Sequence, residues 1–273
     1  MIDPMPIARV NGVELYYEEH GRGAETVVLS HGLLWSTRMY EAQLSELAPH
    51  YRVIAWDHRG QGRSTGPRTR SHQIESCYHD AIALLGHVKA TPCHFVGLSM
   101  GGFVGMRIAA RHPELLRSLS LLATAADGEP KAHLPKYRLL TAVVRHLGTR
   151  PVASQVLPIM FGAGFLRDPA RAGERERWAR ELRRNSRSIY RAVNGVIERE
   201  RCSDELANIR CPVLVLHGDE DNAVSRSRAL ATYEAIDGAR FVAVEGAGHT
   251  MTVENPAVVN RELRRFIDEI AAT

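Results

Sequence analysis

Short, nearly continuous apolar runs recur along this chain, and most are followed by a longer stretch whose apolar positions fall three and four residues apart. The runs at 26–30, 52–56, 94–97, 119–123, 213–217 and 240–244 are rich in Val, Ile and Leu and too short for helices, which is how strands buried on both faces read. The stretches at 40–47, 74–88, 102–111, 226–236 and 258–271 carry a helical period. Two earlier runs, 7–10 and 13–18, flank Asn11-Gly12, a hairpin-turn pair, so they predict an antiparallel start. Alternating strands and helices predict an α/β protein with a mostly parallel sheet flanked by helices. The alternation stops at 127–208, where only helical segments occur, at 134–146, 152–161, 170–184 and 189–201. Two strands of one sheet do not need about eighty residues between them. The pattern therefore predicts a core domain of residues 1–126 and 209–273, with a helical cap of residues 127–208 inserted after the sixth strand and lying over the strand ends.

Candidate chemistry is concentrated just after those runs. Gly97-Leu98-Ser99-Met100-Gly101 stands between an apolar run and a helical stretch. A strand, G-x-S-x-G and a helix in that order make a turn so sharp that the flanking positions must be small. Such a turn holds the Ser99 hydroxyl proud of the sheet at a positive helix end, which suits a nucleophile. A serine also needs a base to take its proton and an acid to orient that base. Gly218-Asp219-Glu220-Asp221 follows the run at 213–217, and Gly246-Ala247-Gly248-His249 follows the run at 240–244. His249 is the candidate base, and both Asp219 and Asp221 are placed to be the acid, with Asp57, Asp127 and Glu129 as further carboxylates near strand ends. An oxyanion formed at Ser99 needs two N–H donors. Met100, next to the nucleophile, is one candidate, and Leu33 in the loop His31-Gly32-Leu33-Leu34 is the other.

These pieces, together with Asp57-His58-Arg59-Gly60-Gln61-Gly62-Arg63-Ser64 and Glu254-Asn255-Pro256, occur in the order of one known family. From about Val10 to the C-terminal helix, the chain resembles the α/β-hydrolase fold superfamily. The wording of residues 97–102, 109–111 and 117–119 is similar to that of 3-oxoadipate enol-lactone hydrolases and related carboxylesterases. The resemblance implies an acid three residues after the glycine, which selects Asp221 and leaves Asp219 to shape the loop. It implies a catalytic set of Ser99, Asp221 and His249, with Leu33 and Met100 at the oxyanion. His31 then holds the oxyanion loop, and Asp57 and Arg59 serve as scaffold. The activity implied is cleavage of a carboxylic ester or lactone through an acyl-enzyme. Carbon–carbon bond hydrolysis and cofactor-free perhydrolysis use the same set, and a ligand receptor of this fold keeps it with little turnover. A serine at the elbow argues against dehalogenation and epoxide opening, where the fold uses an aspartate.

Composition narrows the partners. The 273 residues are 44% hydrophobic and 24% charged, ordinary for a globular protein. A net charge of +4, from 35 basic against 31 acidic residues, does not argue for nucleic acid. The four cysteines form no C-x-x-C pair and read as reduced, small apolar residues. The N-terminus lacks the basic and apolar regions of a signal peptide, and no run is long enough to span a bilayer, so a cytoplasmic protein without a membrane partner is expected. The histidines lack metal-ligand spacing and no dinucleotide fingerprint follows a strand, so neither metal nor cofactor is expected. The expected partner is a small-molecule ester or lactone, and the oligomeric state is left open. Trp35, Leu134, Met160, Phe161 and Trp178 are the candidates for an apolar pocket lining. The arginines at 171, 175, 177, 180, 183, 184, 187 and 191 read as a solvated helix face with i,i+4 partners rather than as an anion clamp.

Overall fold

The computed structural model describes residues 6–272. Eight strands form one sheet: β1 (Ile7–Val10), β2 (Val13–His20), β3 (Thr26–Ser30), β4 (Arg52–Trp56), β5 (Cys93–Leu98), β6 (Leu116–Leu122), β7 (Val213–Gly218) and β8 (Arg240–Val244). Their order across the sheet is β1-β2-β4-β3-β5-β6-β7-β8. β1 pairs antiparallel with β2 and β2 with β4, and every later pairing is parallel. Eleven α-helices are described: α1 (Glu41–Leu47), α2 (Ile74–His87), α3 (Met100–Arg111), α4 (Leu134–Leu147), α5 (Ala153–Met160), α6 (Ala163–Arg167), α7 (Ala172–Arg184), α8 (Tyr190–Ile197), α9 (Arg226–Glu234), α10 (Met251–Glu254) and α11 (Pro256–Ala271). This is the α/β-hydrolase fold that the motif order implies.

The inner strands β3, β4, β5 and β7 are buried along nearly their whole length because helices cover both faces, while β2 and β8 keep exposed positions. In β3, Val27 and Leu29 face the layer containing α1 and α11, while Val28 faces the layer containing α2 and α3. β4 repeats the division, with Val53 and Ala55 on the first face and Ile54 and Trp56 on the second. A period of two thus survives inside a continuous apolar run.

The chain passes from β3 to β4 on one side, then returns so that β5 pairs with β3 on the other. Strand order therefore reverses between β3 and β5, and a crevice opens beyond their carboxyl ends. The loop after β3 carries Gly32, and the turn after β5 carries Ser99. Helices α4 to α8 lie between β6 and β7 in sequence, and their apolar faces join the same buried cluster as α1 and α11.

The expected elements differ from these mainly at their ends. β6 begins three residues early, at Leu116, and α3 begins at Met100, ahead of the two glycines that mask its start. α6 and α10 are too short to carry a periodic pattern. Among the described residues, no helix is long and apolar enough to cross a membrane.

Candidate active site

The turn between β5 and α3 puts Ser99 at φ 50°, ψ −107°, a conformation that L-residues rarely adopt. Backbone bonds hold it there. The Ser99 N–H donates to the Leu122 carbonyl (2.8 Å), and the Ser99 carbonyl accepts from Phe103 N–H (3.0 Å) and Thr124 Oγ1 (2.9 Å). The flanking glycines have steric reasons. A Cβ on Gly97 would lie 2.4 Å from the Gly101 carbonyl oxygen, and one on Gly101 would lie 2.0 Å from the Ser30 carbonyl oxygen. Backbone cannot yield as a flexible side chain can. Gly101→Ala is therefore expected to spread the elbow, with a loss of about 2 kcal/mol or more in urea unfolding and a comparable loss of activity. An alanine variant as stable and active as the parent would contradict this packing.

Asp221 and His249 meet after β7 and β8. His249 Nδ1 lies 3.0 and 3.1 Å from the two Asp221 carboxylate oxygens. Asp221 Oδ1 also accepts the N–H groups of Ala223 (2.8 Å) and Val224 (3.0 Å), so its turn is fixed independently of the histidine. Burial alone would push this carboxyl up, but the His249 ring and the Val224 N–H outweigh it and hold it below the ordinary carboxylate range. A second ring, His217, has Nδ1 3.9 Å from Asp221, too far for a hydrogen bond. Burial holds His217 below its ordinary range, toward the neutral form. The other carboxylates are engaged elsewhere. Asp219 accepts the Gly246 N–H (2.8 Å), and Asp127 forms a forked pair with Arg228 (2.7–3.0 Å).

The loop after β3 is positioned by side chains. The buried His31 ring bonds the Gly32 carbonyl through Nδ1 (2.7 Å) and accepts the His58 N–H at Nε2 (2.9 Å). Of the four amides from Gly32 to Trp35, three have acceptors: Gly32 on Met39 Sδ, Leu34 on Gln61 Oε1 (2.9 Å) and Trp35 on the Gly32 carbonyl. Leu33 N–H is the one without a protein acceptor among the described residues. Met100 N–H opens α3, where amides lack helical acceptors. Asp57 accepts the N–H groups of Thr37 (2.7 Å) and Arg63 (2.8 Å), and Arg59 forms a buried fork with Asp80.

Ser99, His249 and Leu33 line one cavity of about 120 Å³ between the strand ends and helices α4, α5 and α8. Met160 lines it. Trp35, Leu134, Phe161 and Trp178 do not. Trp35 instead packs edge-on against Phe161 (5.8 Å) and Trp178 (5.4 Å), and Phe161 stacks on Phe165 (4.8 Å). These rings fill the seam between the sheet and α5 to α7, where their large area is fully buried. Leu134 is half-buried at the start of α4. None of the eight arginines at 171–191 lines the cavity. Arg177, Arg183 and Arg184 pair with Glu41, Glu176 and Glu181. Among the described residues, no group of three or more His, Cys, Asp and Glu side chains is arranged to hold a metal.

Sequence reasoning gave Glu254 no role beyond its place in the motif order, yet it braces the histidine loop. Its Oε2 accepts the N–H groups of Gly162 (2.8 Å) and Gly248 (3.0 Å), and Oε1 accepts that of Thr250 (3.2 Å). Thr250 in turn donates through N–H and Oγ1 to the Met160 carbonyl (2.9 and 2.8 Å). The histidine loop is thus tied to the end of α5. Its backbone approaches so closely that a Cβ on Gly248 would lie 2.2 Å from the Gly162 nitrogen.

Burial pushes the Glu254 carboxyl from its ordinary 4.5 up to about 7, despite its three backbone donors. The folded state therefore holds a proton that the unfolded chain releases between those values. This stability is complete below pH 4.5 and is lost as pH rises through about 7. The loss amounts to roughly 3 kcal/mol. Urea midpoints between pH 5 and 8 are expected to fall more steeply in the parent than in Glu254→Gln, and equal slopes would contradict the assignment.

The chain has relatives over most of its length. A family model described as "Serine aminopeptidase, S33" matches residues 22–256. The "Putative carbamate hydrolase RutD" of Pseudomonas syringae is 27% identical over 258 residues, covering 93% of this chain and 98% of that protein. The 3-oxoadipate enol-lactonase 2 of Acinetobacter baylyi is 28% identical over 250 residues, 91% of each chain. The crystal structure of the enol-lactonase from Burkholderia xenovorans matches with a TM-score of 0.88 at 29% identity, over 96% of this chain and 100% of that one.

Proposed function

Because the chain belongs to the serine aminopeptidase S33 family of α/β hydrolases, we propose that it cleaves a carboxylic ester or lactone through an acyl-enzyme on Ser99. The observation that carries this reading is the convergence of Ser99, the Asp221–His249 pair and the unpaired Leu33 N–H on one mostly apolar cavity. Ser99 Oγ attacks the carbonyl carbon while His249 takes its proton at Nε2. Asp221 keeps the remaining ring proton on Nδ1 and stabilises the imidazolium. The carbonyl oxygen becomes an oxyanion between Leu33 N–H and Met100 N–H. Losing one such donor raises the barrier by about 3 kcal/mol. The carbon–oxygen bond to the alcohol then breaks, and His249 returns its proton to the departing alkoxide. Water loses a proton to His249, attacks the acyl carbon and frees the acid, and Ser99 regains its hydrogen.

Helices α4, α5 and α8 act as a cap in this scheme, shutting bulk water from the acyl group. The oxyanion site and base would also serve a carbamate, the substrate class in the RutD relative's name, so carbamates form the second reading. Steady turnover of p-nitrophenyl esters of graded acyl length, alongside lactones and aryl carbamates, tests the proposal. Sustained ester or lactone hydrolysis is the expected result. Turnover confined to carbamates would favour the second reading, and an initial burst without turnover would favour a ligand receptor.

A further inference from the structure

We infer that Glu129 is a specificity-determining residue: by pairing with Arg199 in the cavity wall, it makes the site one for an uncharged acyl group and bars an acyl group that ends in a carboxylate. The inference rests on the proposed ester hydrolysis at Ser99 and names the substrate class of that same cavity.

Among the described residues, Glu129 and Arg199 are the acidic and basic side chains of a cavity wall that also carries His249. Both are buried, with 7% and 2% of their side-chain surfaces exposed, and Arg199 Nη1 donates to Glu129 Oε2 at 3.0 Å. Arg199 is also anchored independently of that partner. It donates to the Asp127 carbonyl (3.2 Å) and the Val196 carbonyl (2.7 Å), and its guanidinium lies 4.2 Å from the centre of the Phe103 ring. Phe103 stands one helical turn beyond Ser99 on α3, which places the pair in the wall of the acyl site. Glu129 has a second partner, His133 Nδ1 at 2.9 Å, on a ring that is largely exposed.

An unpaired buried guanidinium would draw a substrate carboxylate strongly. Here the position is already held by a protein carboxylate. A substrate anion entering the cavity would meet Glu129 at close range, and like charges in a desolvated site repel. Burial lowers Arg199 from its ordinary range, consistent with a cation that relies on its partner. The rest of the wall is dominated by aliphatic groups such as Leu140, Val144, Val156, Ile159 and Val193. Among the described residues Thr149 Oγ1 has no partner and is buried there, so a neutral hydrogen-bonding group on the acyl arm has a place to bind.

The test compares p-nitrophenyl hexanoate with p-nitrophenyl hydrogen adipate, which have acyl chains of equal length and differ by one terminal carboxylate. For the parent, kcat/KM is expected to favour the hexanoate by at least about tenfold. Glu129→Gln keeps an acceptor for Arg199 but removes the negative charge, and is expected to shift the ratio toward the adipate by about tenfold or more. Arg199→Gln removes the cation and keeps the Glu129 carboxyl, and is expected to shift the ratio the other way. Opposite shifts distinguish charge selection from general damage, and either folded variant suffices. A parent that prefers the adipate, or folded variants that leave the ratio unchanged, would overturn the inference while leaving ester hydrolysis standing. Absence of turnover on both esters would instead overturn the ester-hydrolysis reading on which this inference rests, and the inference with it.

Discussion

Replacing Ser99 with alanine is expected to lower kcat for a good ester substrate by about 10⁴- to 10⁶-fold, the scale seen when a triad nucleophile is removed. The fold should not suffer. Among the described residues, the hydrogen bonds that fix Ser99 are made by its backbone: N–H to Leu122, and the carbonyl to Phe103 and Thr124. Alanine and serine face the same strain at φ 50°. The thermal midpoint is therefore expected to stay within a few degrees of the parent's, since about 1 kcal/mol moves a domain of this size by only about 2–4 °C. KM should change little, because the wall of the cavity remains. A variant that retains a tenth of the activity would place the nucleophile elsewhere.

Asp221→Asn is expected to cost about 10⁴-fold in kcat, the scale known for the same change in another triad. The reason lies in how the carboxylate is shared. Oδ1 accepts the N–H groups of Ala223 and Val224, and an asparagine oxygen can keep those bonds. The amide nitrogen then faces His249 Nδ1 and donates to it. That forces the ring proton onto Nε2, where the base must accept one from Ser99. The turn survives and the tautomer is wrong. The variant should fold normally, bind substrate and fail in chemistry. A loss below about tenfold would show that His249 does not depend on this partner.

The legible parts of this molecule are those where one residue type is demanded locally. The inner strands could be read because burial on both faces favours apolar residues at successive positions, as in Val27-Val28-Leu29. The elbow could be read because the carbonyls of Gly101 and Ser30 exclude any Cβ at Gly97 and Gly101. Asp221 was harder. Asp219 sits two residues away with the same chemistry, and only the resemblance separated them. In the structure the two have different partners, a histidine for one and the Gly246 amide for the other.

Contacts between distant segments left no such trace. Glu129 and Arg199 are seventy residues apart, in a stretch where arginine is common, so nothing marks Arg199 among its neighbours. Gln61 looked like part of a scaffold turn, yet it takes the Leu34 amide and leaves Leu33 as the free donor. Trp35, Phe161 and Trp178 are candidates for a pocket lining from the sequence, and in the structure they pack on one another. Residue type reports that a large ring needs cover; it does not report whether a cavity or a neighbouring ring provides it.

The central claim is that Ser99 carries the acyl group. Its most direct test is the mass of the intact protein, and then of its peptides, after brief exposure to p-nitrophenyl acetate followed by acid quenching. The parent is expected to gain one acetyl group on the peptide containing Ser99, and Ser99→Ala none. An acetyl group on another residue, or rapid ester hydrolysis with no acyl-enzyme trapped at any time, would contradict the account.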